Sequence, residues 1–279
     1  MSEPDAARER LASTLRAAGD DVDLAEAALL LAAEEYPDLS VRRWLAVLDD
    51  LAEAAHPWVG SAAARGRWSD GLSRFLFAEL GFQGDVEHYD DPRNSYLNDV
   101  IERRTGLPIT LSVLYLELAR RCQRHAEGVG LPGHFIVRAH EADGAVLLDP
   151  FNGGVRLTEA ECWARVREQY GDAVPFDPRY LQPVSKREIL ARMLRNLKGS
   201  YLRRGDLPRA LRTVETLLVV TPDARLELRD RALLRMRLGD LRGALGDLDG
   251  YLAGPVPDEE AELLRGVRTQ VDALWGRRN

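Results

Sequence analysis

Two cysteines, Cys122 and Cys162, are all that 279 residues contain. That is too few for a disulfide framework, and a structural zinc site needs about four ligands. Long apolar runs are missing as well. The longest unbroken stretch is Ala27 to Ala33, far short of the roughly 20 residues of a membrane helix, so no membrane span is expected. The opening Met-Ser-Glu-Pro-Asp has neither a basic nor an apolar region of the kind a secretory leader carries, so none is expected. Lysine is nearly absent: only Lys186 and Lys198 occur. The arginine bias reads as genome composition rather than phosphate recognition. No P-loop, dinucleotide fingerprint or zinc motif is present. These absences lead us to expect a cytoplasmic protein with no metal and no cofactor.

What is present fits a globular chain. Hydrophobic residues make up 45% and charged residues 30%, and 31.2 kDa suits one large domain or two moderate ones. The net charge of −7 is unevenly spread. Residues 1–182 hold 19 Arg against 31 acidic residues, a net of −12, whereas residues 183–279 hold 19 basic against 14 acidic, a net of +5. A basic half can meet nucleic acid, most directly through the run from Lys186 to Arg204. The preferred reading is the blander one, in which it docks on its own acidic half.

Helical spacing dominates residues 4–60, with apolar stripes at Leu24, Ala27, Ala28 and Leu31 and at Trp44, Val47, Leu48 and Leu51. Pro37 to Ser40 breaks them, with Ser40 placed as an N-cap. A third stripe, Leu72, Phe75, Leu76, Ala78 and Leu80, stops at Gly81. After a polar loop, Asp85 to Arg93, a short helix is expected over residues 95–104. Pro108 then opens a helix that runs to Cys122 and is apolar over most of its circumference, hence buried on several sides.

The texture changes after Gly128. Val129 to Gly133 reads as a turn or edge segment, His134 to Arg138 as a strand, Asp143-Gly144 as a hairpin turn and Ala145 to Leu148 as the returning strand. Thr158 and Glu161 form a capping box for a helix over residues 162–170. Pro175, Pro178 and Pro183 mark a linker.

Beyond the linker the chain repeats itself. A shift of 34 residues maps Gly205-Asp206-Leu207 onto Gly239-Asp240-Leu241, Ala210-Leu211 onto Ala244-Leu245, and Leu218 onto Leu252. The small alanines permit close helix packing and the Gly-Asp pairs turn the chain. Arg235 stands where the first unit has Tyr201. This helix–turn–helix period resembles the tetratricopeptide repeat. We therefore expect residues 183–279 to form tetratricopeptide-like helical repeats, with the helix from Asp258 to Trp275 capping them. Residues 1–182 precede them as an α+β domain, with a helical part over 1–82 and a core over 83–182.

The chemistry centres on His134 and Asp149. A His on one strand and an Asp at the end of its neighbour can meet across the pair, as an acid orients an imidazole for general-base work. The order helix, strand with His, strand with Asp resembles the transglutaminase-like branch of the papain-like cysteine enzymes. The stretches Asn94 to Ser112, Pro132 to Arg138 and Asp149 to Gly154 resemble the bacterial SirB-type family, described as a transglutaminase-like domain followed by tetratricopeptide repeats. In the wider transglutaminase-like branch the central helix begins with a nucleophilic Cys, which the helix dipole and the His activate.

Here that position falls near Pro108 to Thr110, and no Cys is there. Cys122 lies at the far end of the same helix, about 18 Å away at 1.5 Å per residue. Cys162 has a helix N-terminus nearby but follows the His and Asp in the chain. Thr110 and Ser112 offer hydroxyls near the right end, of which Thr110 is the candidate nucleophile.

The Asn94, Asn98, Glu102 and Arg103 group reads as a brace for the central helix in preference to a ligand site. His88 reads as a loop residue, and a metal set of His88, His134 and Asp149 lacks compact spacing. His56 and His125 carry no supporting pattern. The preferred expectation is a non-catalytic binding or regulatory protein that engages a protein or peptide partner through its helical repeats. The alternative is an amide hydrolase or acyltransferase using His134 and Asp149 with a displaced nucleophile.

Overall fold

The computed structural model describes residues 3–19, 21–175 and 177–276. Met1 and Ser2, where the leader argument begins, and Phe176, within the proline-rich linker, lie outside the described residues. The chain divides into two compact units, residues 1–193 and 194–279.

The first unit opens with α1 (Glu3–Ala18), α2 (Leu24–Ala33) and α3 (Val41–Ala63). Asp23 caps α2 by accepting the Glu26 amide, and Ser40 caps α3 by accepting the Arg43 amide, so the Pro37–Ser40 break does what its residue types dictate. α2 is buried almost all round, consistent with its lack of a polar face. The third apolar stripe is divided: α4 (Trp68–Ser73) runs into a π-helical turn over Arg74–Glu79. Gly81, at φ +74°, ends it in the left-handed conformation that glycine adopts without strain.

Two short strands, β1 (Gln83–Gly84) and β2 (Thr105–Gly106), pair in parallel around α5 (Leu97–Arg103). α6 (Pro108–Arg121) follows, with Pro108 in its first turn and every residue from Pro108 to Ala119 buried. It is the central helix that its near-continuous apolar surface predicts.

β3 (Ala126–Val129), β4 (Ile136–Glu141), β5 (Gly144–Asp149) and β6 (Val155–Leu157) form one antiparallel sheet in chain order. β3 is a strand that the sequence reading did not anticipate; the expected turn or edge segment, Val129 to Gly133, begins at its last residue. β4 begins two residues after His134, so that histidine sits in the turn leading into the strand rather than on it. The sequence Leu131-Pro132-Gly133 forces this turn: proline cannot donate to a ladder, and Gly133 has φ +70°.

α7 (Glu159–Tyr170) starts from a complete Thr158–Glu161 capping box. Its Cys162, Trp163 and Val166 form a buried cluster with Leu147, Leu157, Val129 and Ile136 on one face of the sheet. Val137, Ala139 and Leu148 are buried on the opposite face, where α6 packs against β3 and β4.

The division between the units falls within α8 (Lys186–Arg203). α9 (Leu207–Val220), α10 (Arg225–Leu238), α11 (Leu241–Leu252) and α12 (Asp258–Gly276) follow, each packed on the next. The Gly, Asp and Ala equivalences of the 34-residue shift have structural roles. Asp206 and Asp240 cap α9 and α11, accepting from the Arg209 and Gly243 amides at 3.1 and 2.9 Å. Gly205 and Gly239 both adopt positive φ, and Ala210 and Ala244 are fully buried where helices approach. Arg235, in the place of the buried Tyr201, pairs with Asp247 at 2.9 Å and Glu215 at 3.3 Å.

Candidate functional site

Asp149 ends β5 with its side chain fully buried. It caps the single 3-10 turn Pro150–Asn152: Oδ1 accepts from the Asn152 amide at 3.3 Å and Oδ2 from Asn152 Nδ2 at 2.8 Å. Arg165 of α7 brings its Nε to 3.3 Å from Oδ2. His134 Nε2 lies 3.0 Å from Oδ1. That approach is short in distance but poorly aligned for a linear hydrogen bond, so Nε2 has no well-directed hydrogen-bond partner. Burial alone would raise the Asp149 pKa, but His134, Asn152 and Arg165 together outweigh it and hold the carboxyl below its ordinary 3.8. The residue is therefore an anion at neutral pH.

The turn that carries His134 is tightly defined. Gly133 has φ +70°, a conformation that favours glycine, and the amide end of the Gln169 side chain of α7 rests where a Cβ would be. Arg192 Nη2 donates to the carbonyls of Leu131 and His134 at 2.8 and 2.7 Å, gripping both ends of the turn. The Phe151 ring meets the imidazole edge-on, with centroids 6.1 Å apart. His134, Phe151, Asn152, Glu161, Arg165 and Glu168 contribute to an open cleft of about 500 Å³.

No thiol serves this imidazole among the described residues. Cys122 follows the last turn of α6, buried, with Sγ 3.6 Å from the Ala52 carbonyl, and burial pushes its pKa up. Cys162 occupies the first turn of α7, where the helix dipole favours a thiolate. Desolvation wins: the thiol is pushed up to about 11, with Asp149, Glu161 and Glu159 adding to the rise. Ser112 Oγ donates to the Pro108 carbonyl within its own helix at 2.7 Å. Thr110 Oγ1 is buried and has no hydrogen-bond partner. None of these four side chains hydrogen-bonds the His134 ring.

Of the four residues expected to brace α6, Asn94 and Arg103 do so, whereas Asn98 Oδ1 is buried without a hydrogen-bond partner. Asn94 Nδ2 donates to Asp85 Oδ2 at 3.0 Å and to the His88 carbonyl at 2.8 Å, and Arg103 donates to Asn94 Oδ1 at 3.1 Å. The Leu107 amide, just before α6, bonds the Asn94 carbonyl. The His88 side chain is 75% exposed. In the basic run, Lys186 pairs with Asp21 at 2.7 Å, and Lys198 pairs with Glu227 and Asp230 at 2.6 and 2.8 Å. Its charges have protein partners.

Asn152 and Arg165 are contributors that sequence reasoning missed. Asn152 follows Asp149 in an Asp-Pro-x-Asn turn, a pattern that suggests an Asx-type cap. Arg165 has no such local signal, since its role comes from the packing of α7 on the sheet.

Comparison with known proteins agrees with this architecture. A model described as transglutaminase-like superfamily matches residues 42–195, and one described as tetratricopeptide repeat matches residues 197–271. The UPF0162 protein of Xylella fastidiosa is 38% identical over 250 residues, covering 88% of this chain and 89% of that protein. The UPF0162 protein of Vibrio cholerae is 32% identical, covering 72% and 73%. Human F-box only protein 21 is 33% identical over 144 residues, 49% of this chain and 22% of that protein. No solved structure matches the chain significantly. Built as a transglutaminase-like domain followed by tetratricopeptide repeats, the chain belongs to the UPF0162 family.

Proposed function

We propose that this protein is a non-catalytic binding or regulatory protein, in which a transglutaminase-like core keeps a His134–Asp149 pair as a structural and recognition element. The tetratricopeptide helices then engage a protein or peptide partner. The observation that carries this reading is the electrostatic state of the cysteines. An acyl-transfer thiol needs a lowered pKa beside its imidazole. Cys122 and Cys162 are both buried with raised pKa values, and neither bonds His134. Asp149 is further occupied by Asn152 and Arg165, an arrangement that suits a fixed pair. Tetratricopeptide helices generally mediate protein–protein contacts, which supports a proteinaceous partner.

One observation favours a second reading, an amide hydrolase or acyltransferase. Thr110 Oγ1 is buried without a partner in the first turn of α6, near where the resemblance puts a nucleophile. A hydroxyl there would need His134 as its base. The deciding experiment measures amide hydrolysis and acyl transfer to an amine with the full chain and with His134→Ala and Thr110→Val. No turnover above background is expected for any of them. Turnover by the wild-type chain that both substitutions abolish overturns the non-catalytic reading.

A further inference from the structure

β3 and β4 pair antiparallel, with Ala126 opposite Ala139 and Glu127 opposite Arg138. One step further along this register His125 faces His140, and the His140 amide donates to the His125 carbonyl at 3.0 Å. Cross-strand partners share a face, as do residues two apart on one strand. His125, Glu127 and His140 therefore project from one side of the sheet.

Their side chains have converged. The two imidazole rings stack with centroids 4.3 Å apart and planes 21° from parallel. His140 Nε2 lies 2.8 Å from Glu127 Oε2. One ligand atom from each of the three residues lies within 4.8 Å of the others. A tetrahedral ion with ligands at 2.0–2.1 Å sets neighbouring donors about 3.3 Å apart. The β3–β4 ladder and the His140–His125 backbone bond hold the three backbones, so closing that difference falls to side-chain rotation.

The donor set decides the class of ion. Two imidazole nitrogens and one carboxylate oxygen suit zinc and its first-row neighbours. Calcium and magnesium prefer all-oxygen shells. The His140 and Glu127 side chains are 39% and 31% exposed, so a hydrated ion can reach them from solvent. Arg138, the cross-strand neighbour that could compete for the carboxylate, donates its guanidinium to the Leu181 carbonyl instead.

We infer that His125, Glu127 and His140 form a three-ligand surface site for a divalent transition-metal ion of the zinc class, with water completing the shell. The site shares no residue with the His134 cleft, and it stands or falls independently of the proposed function. The signal is invisible in linear sequence, because the ligands meet only through the β3–β4 register.

The test titrates the untagged full-length chain with cobalt(II), followed by its visible ligand-field bands, and then displaces the cobalt with zinc. One ion per chain is expected, with micromolar affinity. His125→Ala and His140→Ala should each weaken binding about tenfold or more. His56→Ala and His88→Ala should leave it unchanged. In parallel, paramagnetic broadening of the imidazole NMR signals in the wild-type chain reports the ligands without any substitution. Broadening confined to His125 and His140 supports the site. Broadening centred on His134 or His88, stoichiometric binding that survives the His125→Ala/His140→Ala double substitution, or no uptake at millimolar metal overturns it.

Discussion

His134 Nε2 stands 3.0 Å from Oδ1 of an Asp149 carboxylate that has no solvent exposure. The same carboxylate holds Asn152 and Arg165. Asp149→Ala removes the anion and leaves three polar partners around a void. Breaking a buried ionic pair from one side costs about 3–5 kcal/mol. A loss of that size should appear in the urea-unfolding midpoint of the first unit. A shift below about 1 kcal/mol would mean that the carboxylate is not integrated as described.

The same residue sets an acid limb of stability. Its folded pKa lies below 3.8 and its unfolded value is near 3.8. The stabilisation is therefore complete above pH 3.8 and is lost as the pH falls through the lower, folded value. Asp99 has the opposite sign: burial raises its pKa, so its ionisation opposes folding as the pH rises past 3.8. Unfolding free energy measured against pH should show a flatter limb below pH 3.8 in Asp149→Asn than in wild type. Asp99→Asn should lose the component that disfavours folding above it.

Cys162 should be nearly inert in the folded chain. With its thiol pushed up to about 11, thiolate is scarce at pH 8, and alkylation should run about a hundredfold or more slower than for a free cysteine. Iodoacetamide labelling followed by peptide mass analysis, with and without urea, measures this. Rapid native labelling would reveal an accessible thiolate and favour the enzymatic reading.

In the repeats, Asp247 is buried and bound by Arg231 at 2.6 Å and by Arg235 at 2.9 Å. Asp247→Ala strands the Arg231 guanidinium and leaves Arg235 with its weaker Glu215 contact, and should destabilise the second unit by about 3 kcal/mol. Arg235→Tyr, which restores the residue type found at Tyr201, keeps the Arg231 pair and should cost less. Thermal unfolding of the two variants ranks them, and equal losses would remove the ion pair as the explanation.

The legible parts of this molecule were those with local causes. The Ser40 and Thr158 caps, the Pro108 helix start and the β4–β5 hairpin, whose turn is Ala142-Asp143, one residue before the expected Asp143-Gly144, each depend on a few adjacent residues. The 34-residue repeat was legible because Gly205 and Gly239, and Ala210 and Ala244, fill equivalent positions. His134 and Asp149 could be paired because a hairpin fixes their separation. β3 escaped notice because Ala126-Glu127-Gly128 has little intrinsic strand preference and pairs only because β4 lies beside it. Arg165 and the His125–Glu127–His140 cluster escaped for the same reason, since tertiary packing or strand register brings them to their partners.

Arg192 gives the first unit a working minimum length. The guanidinium that clasps the carbonyls of Leu131 and His134 arrives from 61 and 58 residues downstream. Pro183 also bridges to Val129, and the Val184 amide bonds the Gly128 carbonyl. A fragment trimmed at residue 182 would keep every side chain of the cleft yet release the clasp on its histidine. Any minimal version intended to preserve the pocket has to extend through the first two turns of α8.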